Sequence, residues 1–313
     1  LPHCEAVDTP AVSVDLVRRF IFEERPVRGH WLRLTDAWRD LRAHTDYPPQ
    51  VRELLGQAVA AAVLLAATLK FRGTLTFQLQ GNGAVNLLVA QCTHDFRLRA
   101  VARCDAALLP APVDGPHRAA DFRSLVGSDG RVTVTVEAEE RSLRYQGVVP
   151  LAGNSLAESL ETYFASSEQL PTRVRLAADE HQVAGLLVQK LPEAAADEAT
   201  HSAWQAAQHG IELLDGERLL REPPERLLAG TFSGHDLRLF RGGAVQFECR
   251  CSVDRVMGLL RGLGAEEVRD VLREQGSVTV TCEFCQRPYR FDAIDVEGLF
   301  KEGPPPSGSA TIH

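Results

Sequence analysis

The sequence predicts an α+β protein: an N-terminal mixed sheet with packed helices, a helical linker, and a small C-terminal unit marked by cysteines. Three observations predict it. Strand alternation and helical spacing are interspersed over the first ~190 residues without a regular βα repeat. An acidic stretch carrying short apolar clusters follows. Four of the seven cysteines then fall within one window of 37 residues, as the pairs Cys249/Cys251 and Cys282/Cys285.

In chain order, "DLVRRFIFEE" (Asp15 to Glu24) has the spacing of a helix, and "LTDAWRDLRAH" offers Thr35 as the N-cap of another. "DYPPQVRELLGQAVAAAVLLAATLKF" starts a long helix just after its prolines. Its apolar run, Ala58 to Leu69, has 12 residues; it is too short to span a bilayer and rich in alanine, so a buried core helix is expected. "GTLTFQLQGNGAVNLLVA" is two strands around a "GNG" turn, and "GRVTVTVEAEE" and "RYQGVVPL" alternate as strands do. "SLAESLETYFASSEQLPTRV" is a helix that stops before Pro171, and "VAGLLVQKLP" is a buried strand.

Residues 193–248 hold ten acidic side chains against five basic ones, most of the chain's net −8. Trp204 with Ala207, Ile211 with Leu214, Leu219 with Leu220, and Leu227 with Leu228 fall at helical spacing. Such short amphipathic helices need a surface to cover, and the N-terminal sheet is the nearest; an ordinary helical subdomain has the same pattern. The expected divisions are a core over 1–192, a linker over 193–244, a C-terminal unit over 245–300 and a tail over 301–313 with the composition of disorder. In the C-terminal unit "AVQFECRC" is strand-like, helices follow from Asp254 to about Leu263 and from Glu266 to Gln275, and "SVTVTCEFCQRPYRF" forms a hairpin.

The net charge argues against a protein held to nucleic acid by phosphate neutralisation. With no basic start leading into an apolar run, neither a secretory signal nor a membrane span is expected, and the cytosol is the expected compartment. There thiols stay reduced, and clustered cysteines mean metal or redox chemistry. Two close pairs supply four thiolates to a tetrahedral ion, and between Gly210 and Ile312 the one histidine is His235, so a Cys4 zinc site from Cys249, Cys251, Cys282 and Cys285 is favoured. An iron site and four free thiols are the other readings of these residues. Structural zinc contributes roughly 10–16 kcal/mol of apparent folding free energy in small domains, so a unit of this size depends on it. The same thiolates are targets for oxidants, which leaves a static zinc ribbon and a redox switch both open. Cys4, Cys92 and Cys104 are isolated and read as lone thiols or small core residues.

The C-x-C and CxxC pairs, together with "FIFEERPVRG", "DYPPQVRELLGQAVAAAVLLAATLKFRGTLTFQLQGNGAVNLLV", "RYQGVVPL" and "YFASSEQLPTR" in that order, resemble the bacterial heat-shock protein 33 family of redox-regulated 33-kDa chaperonins. The resemblance runs from about Asp15 to Phe291. It implies an ATP-independent holdase that binds unfolding client proteins under oxidative stress. It also implies one Zn2+ per chain on the four cysteines in an inactive reduced form. Oxidation to Cys249–Cys251 and Cys282–Cys285 disulfides releases the zinc, unfolds the C-terminal unit and linker, and gives an active homodimer.

Two other classes compete. A static Cys4 zinc-ribbon module binding nucleic acid or a protein partner is opposed by residues 249–300, where nine acidic side chains outnumber seven basic ones. An enzyme is not expected: there is no Walker loop and no HExxH, "QGNGAVN" is better explained as a hairpin turn, and Ser166 and Ser167 lack a partner constellation.

Overall fold

The computed structural model of the chain describes residues 15–23, 25–110, 122–139, 144–192 and 198–301; Cys4, the start of the linker at 193–197 and the tail from 302 lie outside them. The chain divides into two units between Glu248 and Cys249.

The first unit opens with the hairpin β1 (Leu16–Phe22) and β2 (Val27–Leu34), then helices α1 (Asp36–Arg42) and α2 (Pro49–Thr68). Strands β3 (Gly73–Gln80), β4 (Val85–Thr93) and β5 (Arg97–Cys104) follow, then the short helix α3 (Phe122–Val126) and strands β6 (Arg131–Ala138) and β7 (Arg144–Pro150). Helix α4 (Leu156–Tyr163) runs into a π-helical turn over Phe164–Glu168, which ends at Gln169 in the left-handed region. Beyond it lie β8 (Thr172–Ala178) and β9 (Val183–Lys190). The acidic stretch supplies α5 (Glu198–Leu213), α6 (Gly216–Arg221) and α7 (Pro224–Thr231), and three short strands close the unit: β10 (Leu237–Leu239), β11 (Gly243–Ala244) and β12 (Gln246–Phe247).

Two six-stranded sheets result. One has the order β10-β1-β2-β9-β8 with β11 also on β1; the other has the order β12-β5-β4-β3-β6-β7. Every pairing is antiparallel except that of β12 with β5. Helix α2 begins with Pro49 at its first turn, where a missing N–H costs nothing, and lies between the sheets with apolar residues buried on all sides. It is the one helix among the described residues long and apolar enough to cross a membrane, and it is core. At Gly56 a side chain would meet the Ala178 Cβ at 2.4 Å, so glycine sets the approach of α2 to β8.

The other face of the first sheet carries Phe20, Phe22, Trp31, Leu186 and Val188. Trp204, Ala207, Ile211, Leu214, Leu219, Leu220, Leu227 and Leu228 pack on it, so the apolar clusters of α5 to α7 cover the sheet. Beyond apolar contact, Arg33 Nη2 donates to the Leu219 and Glu222 carbonyls at 2.9 and 2.5 Å, and Arg18 and Arg221 pair with Glu225 and Asp179 at 2.6 and 2.8 Å.

Several elements depart from expectation. Residues 16–22 are a strand, not a helix: Val17 packs toward α2 while Phe20 and Phe22 pack on the opposite face, and burial on both faces masks the period of two. Strands β2, β5 and β8 also carry no sequence prediction; β2 is buried on both faces, whereas β5 and β8 alternate apolar residues with arginine. Thr35 is the N-cap of α1 by position but its side chain caps nothing. Asp15 does so from outside the helix, accepting from Thr35 N and Ala37 N, each at 2.5 Å. "AVQFECRC" is not a strand of the cysteine unit. Its residues 244, 246 and 247 pair with β1 and β5 in the first unit, and Cys249 to Cys251 have no regular structure.

The second unit holds α8 (Val253–Leu263), α9 (Ala265–Gln275), the antiparallel hairpin β13 (Val278–Thr281) and β14 (Pro288–Phe291), and α10 (Ala293–Lys301), the last unpredicted. Among its described residues the core is seven buried side chains, Leu260, Val268, Val278, Tyr289, Phe291, Val296 and Leu299, with partly buried apolar residues such as Val256 and Leu272 against them.

Candidate metal centre

The two cysteine pairs arrive by different routes. Cys282 directly follows β13, and the chain turns back through Cys285 into β14. Gln286, at φ 52°, lets its N–H donate to the Cys282 carbonyl at 2.8 Å, and Cys282 N donates to the Arg287 carbonyl at 3.0 Å. That tight turn points both sulfurs of the CxxC the same way. Cys249 and Cys251 come from the extended chain ahead of α8. Ser252 ends that segment as a true N-cap, its hydroxyl accepting from Arg255 N at 3.3 Å, which fixes where Cys251 stands.

All four sulfurs lie within 4.8 Å of one another. Cys249 Sγ is 3.5 Å from Cys251 Sγ and 3.6 Å from Cys282 Sγ, and Cys251 Sγ is 3.4 Å from Cys285 Sγ. Tetrahedral ligands about 2.3 Å from an ion sit about 3.8 Å from each other, so the donor set fits a four-coordinate, thiolate-binding metal ion. All four are half-buried, reachable by small oxidants. The cross-pair sulfurs are as near as those of the Cys249/Cys251 pair, so distance favours neither pairing for disulfides.

The thiols are not equivalent. Burial pushes Cys285 up to about 12, and its hydrogen bonds to the other sulfurs add to this, against the Arg287 N–H that donates to it. Burial also raises Cys249. For Cys251 burial works in the same direction but is outweighed: the Tyr289 hydroxyl, donating at 3.0 Å, and the neighbouring thiols bring it down to about 7.

The described residues set aside on sequence belong to the first unit. Cys92 is fully buried in β4, where burial and Asp95 raise its thiol far above the usual range, and Cys104 is half-buried at the end of β5. Ser166 Oγ donates to the Thr162 carbonyl at 2.7 Å within its helix, with no base beside it in the described hydrogen bonds. The "GNG" turn has Asn82 N and Gly83 N donating to the Val126 carbonyl at 3.0 and 3.1 Å, a structural docking. Sequence reasoning missed Tyr289, although its place four residues after Cys285, in alternation with Phe291, put it on the inner face of β14.

Comparison with known proteins gives concordant results. A model of the Hsp33 protein family matches residues 15–292. The 33 kDa chaperonin of Nitrosococcus oceani is 41% identical over 299 residues, covering 96% of this chain and 99% of that one. The 33 kDa chaperonin of Methylobacillus flagellatus is 40% identical, covering 91% and 94%. Among solved structures, the 33 kDa chaperonin (heat shock protein 33 homolog) of Thermotoga maritima matches with a TM-score of 0.78 at 21% identity, over 92% of this chain and 98% of that one, a likeness of fold.

Proposed function

Since the chain belongs to the Hsp33 protein family, whose curated members carry the name 33 kDa chaperonin, we propose that it is a redox-regulated, ATP-independent holdase of the cytoplasm. Its partners are unfolding client proteins, held by binding without turnover. The observation that carries the redox part is the convergence of four half-buried cysteine sulfurs within 4.8 Å in a unit whose core is seven side chains. So small a core supports little stability alone. Zinc bound there supplies a cross-link between the segment ahead of α8 and the β13–β14 hairpin.

Cys249, Cys251, Cys282 and Cys285 are the proposed ligands and also the switch. A peroxide converts one thiol to a sulfenic acid with release of water; the neighbouring thiol displaces a second water, and two sulfurs have given up two electrons to form a disulfide. Each disulfide withdraws two of the four ligands. The Cys249–Cys251 and Cys282–Cys285 pairing follows family likeness, and peptide mapping of the oxidised protein tests it against cross-pair bonds. Without its cross-link the second unit unfolds, the linker from 193 to 244 opens, and the face bearing Phe20, Phe22 and Trp31 becomes available to clients and to a second protomer.

The test is aggregation of a denaturant-unfolded client without nucleotide, beside zinc content and thiol count. Oxidised protein is expected to suppress aggregation, reduced zinc-loaded protein to be inert, and reductant plus zinc to reverse the activity. Equal suppression in both states would leave a static zinc module in place of a switch. Salt-sensitive nucleic-acid binding by the reduced form would point to the ribbon-type reading.

A further inference from the structure

Four thiolates and one divalent cation leave a charge of −2 that the protein must stabilise, and hydrogen bonds to the sulfurs are how it does so. Two of these come from the backbone: the Cys251 N–H serves Cys249 and the Arg287 N–H serves Cys285. Cys251 is served by a side chain. Tyr289 stands opposite Val280 in the hairpin register, its ring in the core of the unit, and its hydroxyl donates to Cys251 Sγ at 3.0 Å. The Arg287 guanidinium lies beside the same hydroxyl.

We propose that Tyr289 is a positioning residue of the metal centre, its hydroxyl fixing the Cys251 sulfur and stabilising the negative charge on it, with Arg287 polarising that hydroxyl from the solvent side. The inference rests on the reading of the four cysteines as a metal site. Three features give it content. The hydroxyl of a core aromatic has to find a partner when its ring is buried, and the partner here is a ligand sulfur. The ring is held by its neighbours in the hydrophobic core, so the O–H is aimed before any ion arrives. The neighbouring strand position, Arg290, is spent on Ser277 at 3.2 Å, which leaves Arg287 as the cation placed at this hydroxyl.

The consequence concerns how firmly the centre holds its ion. Removing an outer hydrogen-bond partner of a metal ligand weakens binding by about tenfold to a hundredfold. Tyr289→Phe removes the donor and keeps the ring. It is expected to lower cobalt(II) affinity about tenfold in competition with a chromophoric chelator and to speed transfer of the ion to that chelator. It should also move the sulfur-to-cobalt charge-transfer band to lower energy, because a thiolate relieved of a hydrogen bond gives up electron density more readily. Arg287→Gln, at an exposed position, should produce smaller changes of the same sign.

A purely structural Tyr289 would alter stability without moving the band. Unchanged affinity and an unmoved band in Tyr289→Phe would overturn the proposal. If Tyr289→Phe does not fold, Arg287→Gln decides: a band at the wild-type position counts against it. Failure of the wild-type protein to take up cobalt would instead sink the metal-site reading on which the inference rests.

Discussion

At the residue scale the four clustered cysteines are the most legible feature, because the spacing of cysteines is itself chemical information: pairs one and two residues apart are able to chelate one ion. Their individual characters were not legible, since burial and the donors around each sulfur come from residues far off in sequence. Those characters predict a pH dependence. Without the ion, Cys249 and Cys285 are raised by burial, Cys285 up to about 12, so both carry protons at neutral pH. A metal binds thiolates, so uptake expels at least these two protons, and affinity falls as pH falls. Two protons correspond to about a hundredfold per pH unit. Near pH 7 and below, Cys251, at about 7, adds part of a third. Competition titrations at pH 7.5 and 6.5 should therefore differ by about a hundredfold or more. A difference below tenfold would mean that the cluster is already deprotonated.

At the scale of elements, the legible ones carry a proline, a turn residue or a long apolar run within or beside their own span. Helix α2, the β3–β4 and β13–β14 hairpins, and α8 and α9 each announce themselves by a period or a turn residue within their own span. β1 misleads because its two faces are both buried, and with Phe20, Phe22 and Val17 all inside, no polar side remains to mark the alternation. The cap of α1 was illegible for a different reason: the capping group is 20 residues upstream of the position it serves. Asp15 Oδ1 accepts from Thr35 N and from Thr35 Oγ1, at 2.5 and 3.1 Å, and Oδ2 accepts from Ala37 N at 2.5 Å. The Asp15 carbonyl meanwhile accepts from Val245 N at 2.9 Å, so this residue ties α1, β1 and the chain ahead of the cysteines together. Asp15→Ala strands these donors and is expected to cost about 2 kcal/mol of first-unit stability, the upper end for a lost cap, read from denaturant unfolding. Asp15→Asn keeps one acceptor oxygen and should lose about half as much. A loss below a few tenths of a kcal/mol in Asp15→Ala would show that water replaces the carboxylate at no cost.

At the scale of the whole molecule, the question is what keeps a cover of short helices on a greasy sheet face. At 6 and 8 residues α6 and α7 are too short to persist alone. Most helical stability, that of the 16-residue α5 included, comes from packing an amphipathic face, so all three depend on the surface they cover. Their exposed ion pairs, Arg18 with Glu225 and Arg221 with Asp179, contribute at most about 1 kcal/mol each. The chain after them is fastened better. Phe240 N donates to Arg19 O, Gln246 N to Phe96 O and Glu248 N to Leu98 O, and the next residue is Cys249. These bonds lie on the covalent path between α7 and Cys249, so in the proposed switch loosening begun at the cysteines would reach the helices through them. Hydrogen exchange can follow that order. On oxidation with loss of the metal, the amides of Gln246 and Glu248 should lose protection together with those of α5 to α7, while α2 and the β2–β9 pair stay protected. In the proposed switch, the linker's excess of acidic residues would keep the released segment self-repelling and favour the open state. Opening of α5 to α7 with Gln246 and Glu248 still protected would show that release bypasses these bonds. Aggregation suppression with α5 to α7 still protected would mean that clients bind somewhere other than the face they cover.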